Sequence, residues 1–225
     1  GESQTDQTNL VPDAAQTFLR VYGVDDQGNF EGRNVLHVAS DPAAAEDHST
    51  IAHARRVLLE ARDQRPRPAL DDKVLASWNG LMLSALAEAG AALGRIDYVA
   101  AAEKNAAFVL TNLRAPDGRL LRTWRAGRAR LGGYLEDYAA LCEGLVCLYH
   151  ATFAECWVLA ATSLADIMLA RFRGEQGEFY DTADDHELLL VRPRDLQDNA
   201  VPSGGSLAVT ALARLAALTG VEEYR

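Results

Sequence analysis

Apolar residues recur along this chain every three to four positions in long stretches rich in alanine and leucine. That period predicts helices over roughly 13–21, 46–63, 73–93, 97–113, 135–151, 154–172 and 203–218. Polar connections separate them. "RDQRPRPALDD", with prolines at 66 and 68, reads as a non-helical connector. Three glycine-led segments begin near Asp25 ("DDQGNFEGRNVLHV"), Pro116 ("PDGRLLRTWRAG") and Glu175 ("EQGEFYDTADDHELLLVRP"). Glycine after a helix end, followed by alternating residues, predicts small β-hairpins or extended loops.

The pattern repeats. "LGRIDYVAAAEKNAAFVL" from Leu93, "TFAECWVLAATSLADIML" from Thr152 and "LTGVEEYR" from Leu218 each follow an alanine-rich helix. Tyr98, Trp157 and Tyr224 hold equivalent places, with offsets of 59 and 67 residues. The unit is helix, short turn, helix, long polar connection. Such helix pairs bury one face against neighbouring pairs. Long connections favour a closed ring of hairpins over a regular solenoid, whose turns are short on both sides. A ring of six such units needs roughly 360 residues. This chain holds about two and a half units and reads as a fragment, with residues 1–12 a loose boundary segment and 13–225 part of the ring.

Composition narrows the function classes. The chain has 225 residues and a formal charge of -10, which argues against general nucleic-acid binding. Arg114, Arg119, Arg122, Arg125, Arg128 and Arg130 crowd together with only Asp117 nearby in sequence, and read as a solvated arginine-rich hairpin. Cys142, Cys147 and Cys156 fall on apolar helical positions without a CxxC pair. They read as buried free thiols of a reducing, cytoplasmic compartment. No apolar run is long and clean enough to span a membrane.

Four motifs carry a resemblance. "YGVDDQGNFEGRNVLHV" (22–38), "DDKVLASWNGLMLSALAEAG" (71–90), "GYLEDYAALCEGLVCLYHATF" (133–153) and "LQDNAVPSGGSLA" (196–208) occur in order. With them the chain resembles the C-terminal part of the DUF255 family, the YyaL-like and spermatogenesis-associated thioredoxin-like proteins. Gly205 stands where the family's motif reads asparagine. The resemblance implies an all-α fold, a partial (α/α)6 toroid similar to those of six-hairpin glycosidases and N-acylglucosamine 2-epimerases. It also implies a thioredoxin-like domain as a partner elsewhere in the parent protein.

Candidate chemistry follows from the repeat. Shifting Asp72 by the summed offset lands on Asp198, and Glu136 and Asp137 open the corresponding middle helix. The expectation is that Asp71, Asp72, Glu136, Asp137 and Asp198 gather at one end of the ring, where carboxylates serve as general acid and base on a glycosidic bond. Helix capping and the helix dipole are a simpler account of one carboxylate per helix. Trp78 and Tyr138, with Tyr134, would stack on a sugar ring. Lys73, Asn79, Asp181 and Asn199 would line the same funnel, Asn79 taking partners from Asp72 or Lys73. "PSGGS" (202–206) reads as a helix start built for close packing.

The acidic turn 179–189 fits neither an EF-hand nor a zinc motif, and reads as solvated. No P-loop, dinucleotide or Gly-x-Ser-x-Gly pattern appears, so neither metal nor cofactor is expected. The five histidines have no ligand spacing, and two cannot be placed on inner helices, which puts an epimerase below a hydrolase. Two function classes stand: a carbohydrate-binding or carbohydrate-processing domain, and a non-catalytic docking domain for the thioredoxin-like domain or a client protein. As a fragment the chain is expected to be inactive and, with inner-helix sides bare, to self-associate.

Overall fold

The computed structural model describes residues 12–40, 45–187 and 190–225. The expected loose segment 1–12 lies outside them except for Pro12, as do Leu188 and Leu189 of the acidic turn. Two compact units divide at Leu70 and Asp71.

The first unit holds α1 (Pro12–Val21) and α2 (Ala45–Asp63). Phe18, Val21, Ile51 and Ala54 form its small core. The glycine-led segment between them is folded by side-chain amides rather than by strands. Asn29 and Val35 exchange two hydrogen bonds, Asn34 and Asp25 exchange two more, and one isolated bridge joins Phe30 to Arg33.

The second unit contains β1 (Val74–Leu75), α3 (Ala76–Leu93), α4 (Ile96–Asn112), β2 (Leu121–Arg125), β3 (Arg128–Gly132), α5 (Leu135–Thr152), α6 (Glu155–Arg171), α7 (Gly204–Thr219) and a final 3-10 turn (Glu222–Tyr224). All seven helices described in the chain fall where the apolar period predicts them, and α3 starts three residues late. Val74 and Leu75 pair antiparallel with Trp124 and Thr123 instead, so β1 becomes the third strand of the β2–β3 hairpin. That hairpin turns through Ala126 and Gly127, both at positive φ, as a two-residue hairpin turn requires.

Helices α3, α5 and α7 pack side by side as an inner layer, and α4 and α6 lie outside α3 and α5. α5 is enclosed on all sides: every residue from Asp137 to Leu148 is buried. That is why its sequence is apolar all round rather than striped. Tyr98, Trp157 and Tyr224 are each the third residue of their outer element, as the repeat implies. The connection 113–121 recurs at 172–180 bond for bond. Leu121 N bonds Leu113 O, and Tyr180 N bonds Phe172 O; Gly118 and Gly177 share a φ of 87°. Only the first copy continues into a hairpin; the second stops at one bridge, Arg173 to Phe179. Cys142 and Cys147 are buried as expected, but Cys156, on the second position of outer helix α6, is exposed.

Two glycines set the distance between α3 and α5. A Cβ on Gly80 would lie 2.4 Å from the backbone carbon of Ala140, and one on Gly144 would lie 2.7 Å from the Gly80 carbonyl oxygen. Neither neighbour is a side chain that can swing away. Alanine normally gains about 1 kcal/mol over glycine inside a helix. Here Gly80→Ala is expected to destabilise by about 1–3 kcal/mol, because the two backbones must part. Urea unfolding followed by circular dichroism reads the sign, and a stabilised variant would refute the close-contact account.

Candidate functional site

The starts of the three inner helices meet around the first turn of α5. Asp137 is fully buried there. Its Oδ1 accepts the Ser77 amide at the start of α3 (3.0 Å), and its Oδ2 accepts the Tyr134 amide just ahead of α5 (2.9 Å). The Leu135 amide donates to the Asp181 carbonyl at 2.9 Å. The first residue of α7 is Gly204, where a Cβ would lie 3.1 Å from the Glu136 nitrogen, so the "PSGGS" segment does allow close packing. Ser203 caps α7 by accepting the Ser206 amide. Helix N-termini carry partial positive charge, so one end of the inner layer favours carboxylates.

Strand β2 supplies the opposing cations. Arg122 Nη1 lies 2.8 Å from Glu136 Oε1 and 3.3 Å from Asp137 Oδ2, and its guanidinium sits 4.4 Å above the Tyr134 ring. Arg125 pairs with Asp72 at 2.5 Å, and Lys73 with Asp71 at 3.2 Å. Arg119 pairs with Asp185, and Arg171 with Asp184. The arginine-rich hairpin and the acidic turn, read from the sequence as two solvated segments, thus share one ion pair, and Arg122 and Arg125 meet carboxylates of the site. Local charge counting misses pairs made across 15 to 66 residues.

Glu136, Asp137 and Asp181 come together at the start of α5. Asp181 is half-buried, and its Oδ2 accepts the Asp195 amide at 2.8 Å. Burial pushes its carboxyl above the usual range; Asp195 and Glu136 push the same way. Asp71, Asp72 and Lys73 lie ahead of β1, exposed, and α3 has Leu75 at its N-cap with no side-chain cap. Asp72 is thus not at a helix mouth. The Lys73 ammonium holds the Asp71 carboxyl below its ordinary value. Asp198 accepts the Ser203 amide at 2.9 Å, which lowers its pKa and braces the approach to α7. Asn199 is exposed beside it, its amide bonding the Val201 carbonyl.

Two expected contacts are different. Asn79 donates to the Leu75 carbonyl and accepts from Asn105 Nδ2, rather than pairing with Asp72 or Lys73. Tyr138 is buried: its Oη accepts the Leu120 amide and its ring packs 5.1 Å from Phe172, so it forms core and not an open stacking floor. Its ring also lines a cavity of about 310 Å³ shared with Leu120, Phe172, Arg119 and His186. Trp78, in contrast, is 63% exposed on α3.

No family model matches the sequence. Spermatogenesis-associated protein 20 of Mus musculus is 34% identical over 242 residues, which cover 94% of this chain and 30% of that protein. An uncharacterized protein of Caenorhabditis elegans is 31% identical over 218 residues, 89% of this chain and 30% of that one. The chain thus spans about 30% of the length of the curated relatives it matches. Among solved structures, cellobiose 2-epimerase from Spirochaeta thermophila superposes with a TM-score of 0.55 at 16% identity, over 68% of this chain and 40% of the enzyme. A GH76 α-mannanase from Bacteroides thetaiotaomicron gives 0.55 at 15% identity, over 79% and 52%. Unsaturated glucuronyl hydrolase from Bacillus sp. GL1 gives 0.51 at 18% identity, over 81% and 53%. The chain is homologous to spermatogenesis-associated protein 20, and its fold is the all-α, partial (α/α)6 toroid expected from the sequence.

Burial is the leading influence on Asp137 and raises its pKa against the pull of the Tyr134 amide, Arg122 and the Ser77 amide. A raised folded-state pKa means the proton binds more tightly in the folded chain. The stabilising contribution is then full at acid pH and is lost as pH rises through that pKa. Asp137→Asn keeps one acceptor but turns an NH2 toward a backbone amide, and is expected to cost about 1–3 kcal/mol. The cost should be largest at acid pH and narrow as pH rises above the ordinary carboxylate value. Denaturant titrations at several pH values check it; a cost that widens with pH would overturn the sign. The two β2 arginines should separate cleanly. Arg122→Ala is expected to cost about 1–3 kcal/mol because it strands a buried carboxylate, and Arg125→Ala about 0.5 kcal/mol or less because both partners are exposed. Equal losses in the same unfolding assay would refute that distinction.

Proposed function

We propose that this chain is part of a carbohydrate-binding or carbohydrate-processing toroid, with its ligand at the end where α3, α5 and α7 begin. The observation that carries the reading is Glu136: it is half-exposed, fixed by Arg122 over Tyr134, and set where three inner-helix N-termini converge. The fold it shares with an epimerase, a mannanase and a glucuronyl hydrolase supports a sugar as ligand class. On this reading residues 13–225 belong to one toroid of a DUF255-type protein whose thioredoxin-like domain lies elsewhere. Glu136 is the leading acid or base, with Asp71, Asp72, Asp137 and Asp198 completing the carboxylate set. Trp78 offers a ring for stacking, and Lys73, Asn79, Asp181 and Asn199 border the site. Hydrolysis is favoured over epimerisation because α5 carries His150 only in its last turn. A docking role has one observation in its favour, the exposed pair Trp78 and Met82 one turn apart on α3.

Calorimetric titration of the 225-residue chain with mannose, cellobiose and glucuronate tests the reading. At least one sugar is expected to bind. Its affinity should fall about tenfold, or roughly 1.4 kcal/mol, in Glu136→Gln and in Trp78→Ala, without a change in melting temperature. If none of the three binds, or if both variants bind as the wild type does, the carbohydrate reading of this end of the ring is wrong and docking takes its place.

A further inference from the structure

From Asp137 to Leu148 every residue of α5 is buried, and after Asp137 only one of them is charged: Glu143. It follows Glu136 by seven positions, which returns it to the same side of the helix two turns on, about 10.5 Å along the axis. Glu88 on α3 and Arg214 on α7 reach it from either side. Arg214 Nη1 lies 2.7 Å from Glu143 Oε1, 3.3 Å from Glu88 Oε1 and 3.3 Å from Cys147 Sγ. The Cys147 thiol, pushed up to about 12 by burial, stays protonated and donates to Glu88 Oε1 at 3.3 Å. All three inner helices thus contribute to one polar cluster inside an apolar layer.

The cluster is incomplete. Glu143 is 9% exposed, and its Oε2 is buried with no hydrogen-bond partner. Buried carboxylate oxygens rarely lack a donor. Arg214 makes its three contacts through a single nitrogen, Nη1, while a guanidinium presents five N–H groups. Arg214 and Glu88 are largely exposed long side chains, so the cover over Glu143 is the part of the cluster most able to move. One turn nearer the helix starts, Ser84 and Thr210 place hydroxyl groups on α3 and α7, each bonded to its own helix backbone. Two carboxylates face one guanidinium here, and His150 is the remaining group that acts on Glu143. That balance repels anions and leaves an acceptor open for a neutral donor.

We propose that Glu88, Glu143, Cys147 and Arg214 form a second polar subsite, two turns along α5 from Glu136, that binds hydroxyl groups of a neutral sugar or polyol. It rests on the carbohydrate reading of the helix starts and extends that site inward. An incoming hydroxyl donates to Glu143 Oε2, and the free edge of the Arg214 fork donates to the ligand's oxygens. A glutamine at 143 keeps the shape but can place an NH2 where the ligand's donor must go.

The test is calorimetric titration of the 225-residue chain, wild type and variants, with mannose, cellobiose and glucuronate. A neutral sugar is expected to bind the wild type. Its affinity should fall about tenfold to a hundredfold in Glu143→Gln and about threefold to tenfold in Glu88→Gln. Melting temperatures show whether each variant folds. If Glu143→Gln does not, Glu88→Gln decides, because its carboxylate is exposed and its loss leaves the helix packing intact. Neutral-sugar affinity unchanged in both, while Glu136→Gln loses it, overturns the inner subsite and leaves the outer reading standing. Affinity lost in Glu143→Gln but kept in Glu136→Gln supports the inner subsite and removes the outer one. Glucuronate binding more tightly than the neutral sugars overturns the ligand class, and no binding by any sugar overturns both.

Discussion

The buried Asp137 carboxylate is the interaction on which the arrangement of the second unit depends. Enclosing α5 on all sides removes water from its first turn, and the starting amides of a helix have no partners of their own. Asp137 supplies one to the Tyr134 amide of its own helix and one to the Ser77 amide of the neighbouring helix. Arg122 then brings β2 against the same oxygen. A buried ion pair adds little net stability over apolar packing, because desolvation offsets most of the attraction. What this one does is fix register. A shift of α3 by one turn would leave the buried Ser77 amide and Asp137 Oδ1 unpaired at once. The Gly80–Gly144 contact enforces the same register sterically, since a Cβ on either glycine would strike the other helix's backbone.

That register places the chemistry. With α3 fixed against α5, β1 is carried to the hairpin edge, and Asp72 meets Arg125 rather than the start of a helix. The hairpin in turn lays Arg122 across Tyr134, which positions Glu136. Sequence separation hides this chain of dependence. Arg119, Arg122 and Arg125 have only Asp117 close by along the chain, yet Asp185, Glu136, Asp137 and Asp72 answer them in space.

The helices were legible because their apolar period is long and uninterrupted, and the repeat because Tyr98, Trp157 and Tyr224 anchor the same turn of each outer element. The first hairpin was legible from the glycine that follows a helix end and the alternation after it. Its two counterparts are not hairpins: each closes on a single bridge. Val74 and Leu75 were illegible as a strand, since two apolar residues ahead of an apolar helix look like its first turn. Tyr138 looked like a candidate stacking ring because aromatic residues near a helix start serve either role; its burial, the Phe172 ring and the Leu120 amide on its hydroxyl decide for the core. The gathering of helix starts at one end was legible, whereas the inner cluster around Arg214 was not, because its members share no motif and no offset.

α5 therefore holds two buried carboxylates in opposite conditions. Asp137 has a donor on each oxygen, and every donor is a fixed part of the fold. Glu143 has Arg214 on one oxygen and nothing on the other. Were stability the only demand, a leucine at 143 would suit its apolar surroundings better, because burying a charge costs more than a single ion pair returns. A sequence otherwise consistent at every level tends to break its own rules where a ligand must be met. Asp137 obeys those rules, with the fold itself satisfying both of its oxygens. Glu143 breaks them in the middle of the most buried helix, with a partly exposed arginine for a cover, and that departure is why the function of this layer is best sought there as well as at its rim.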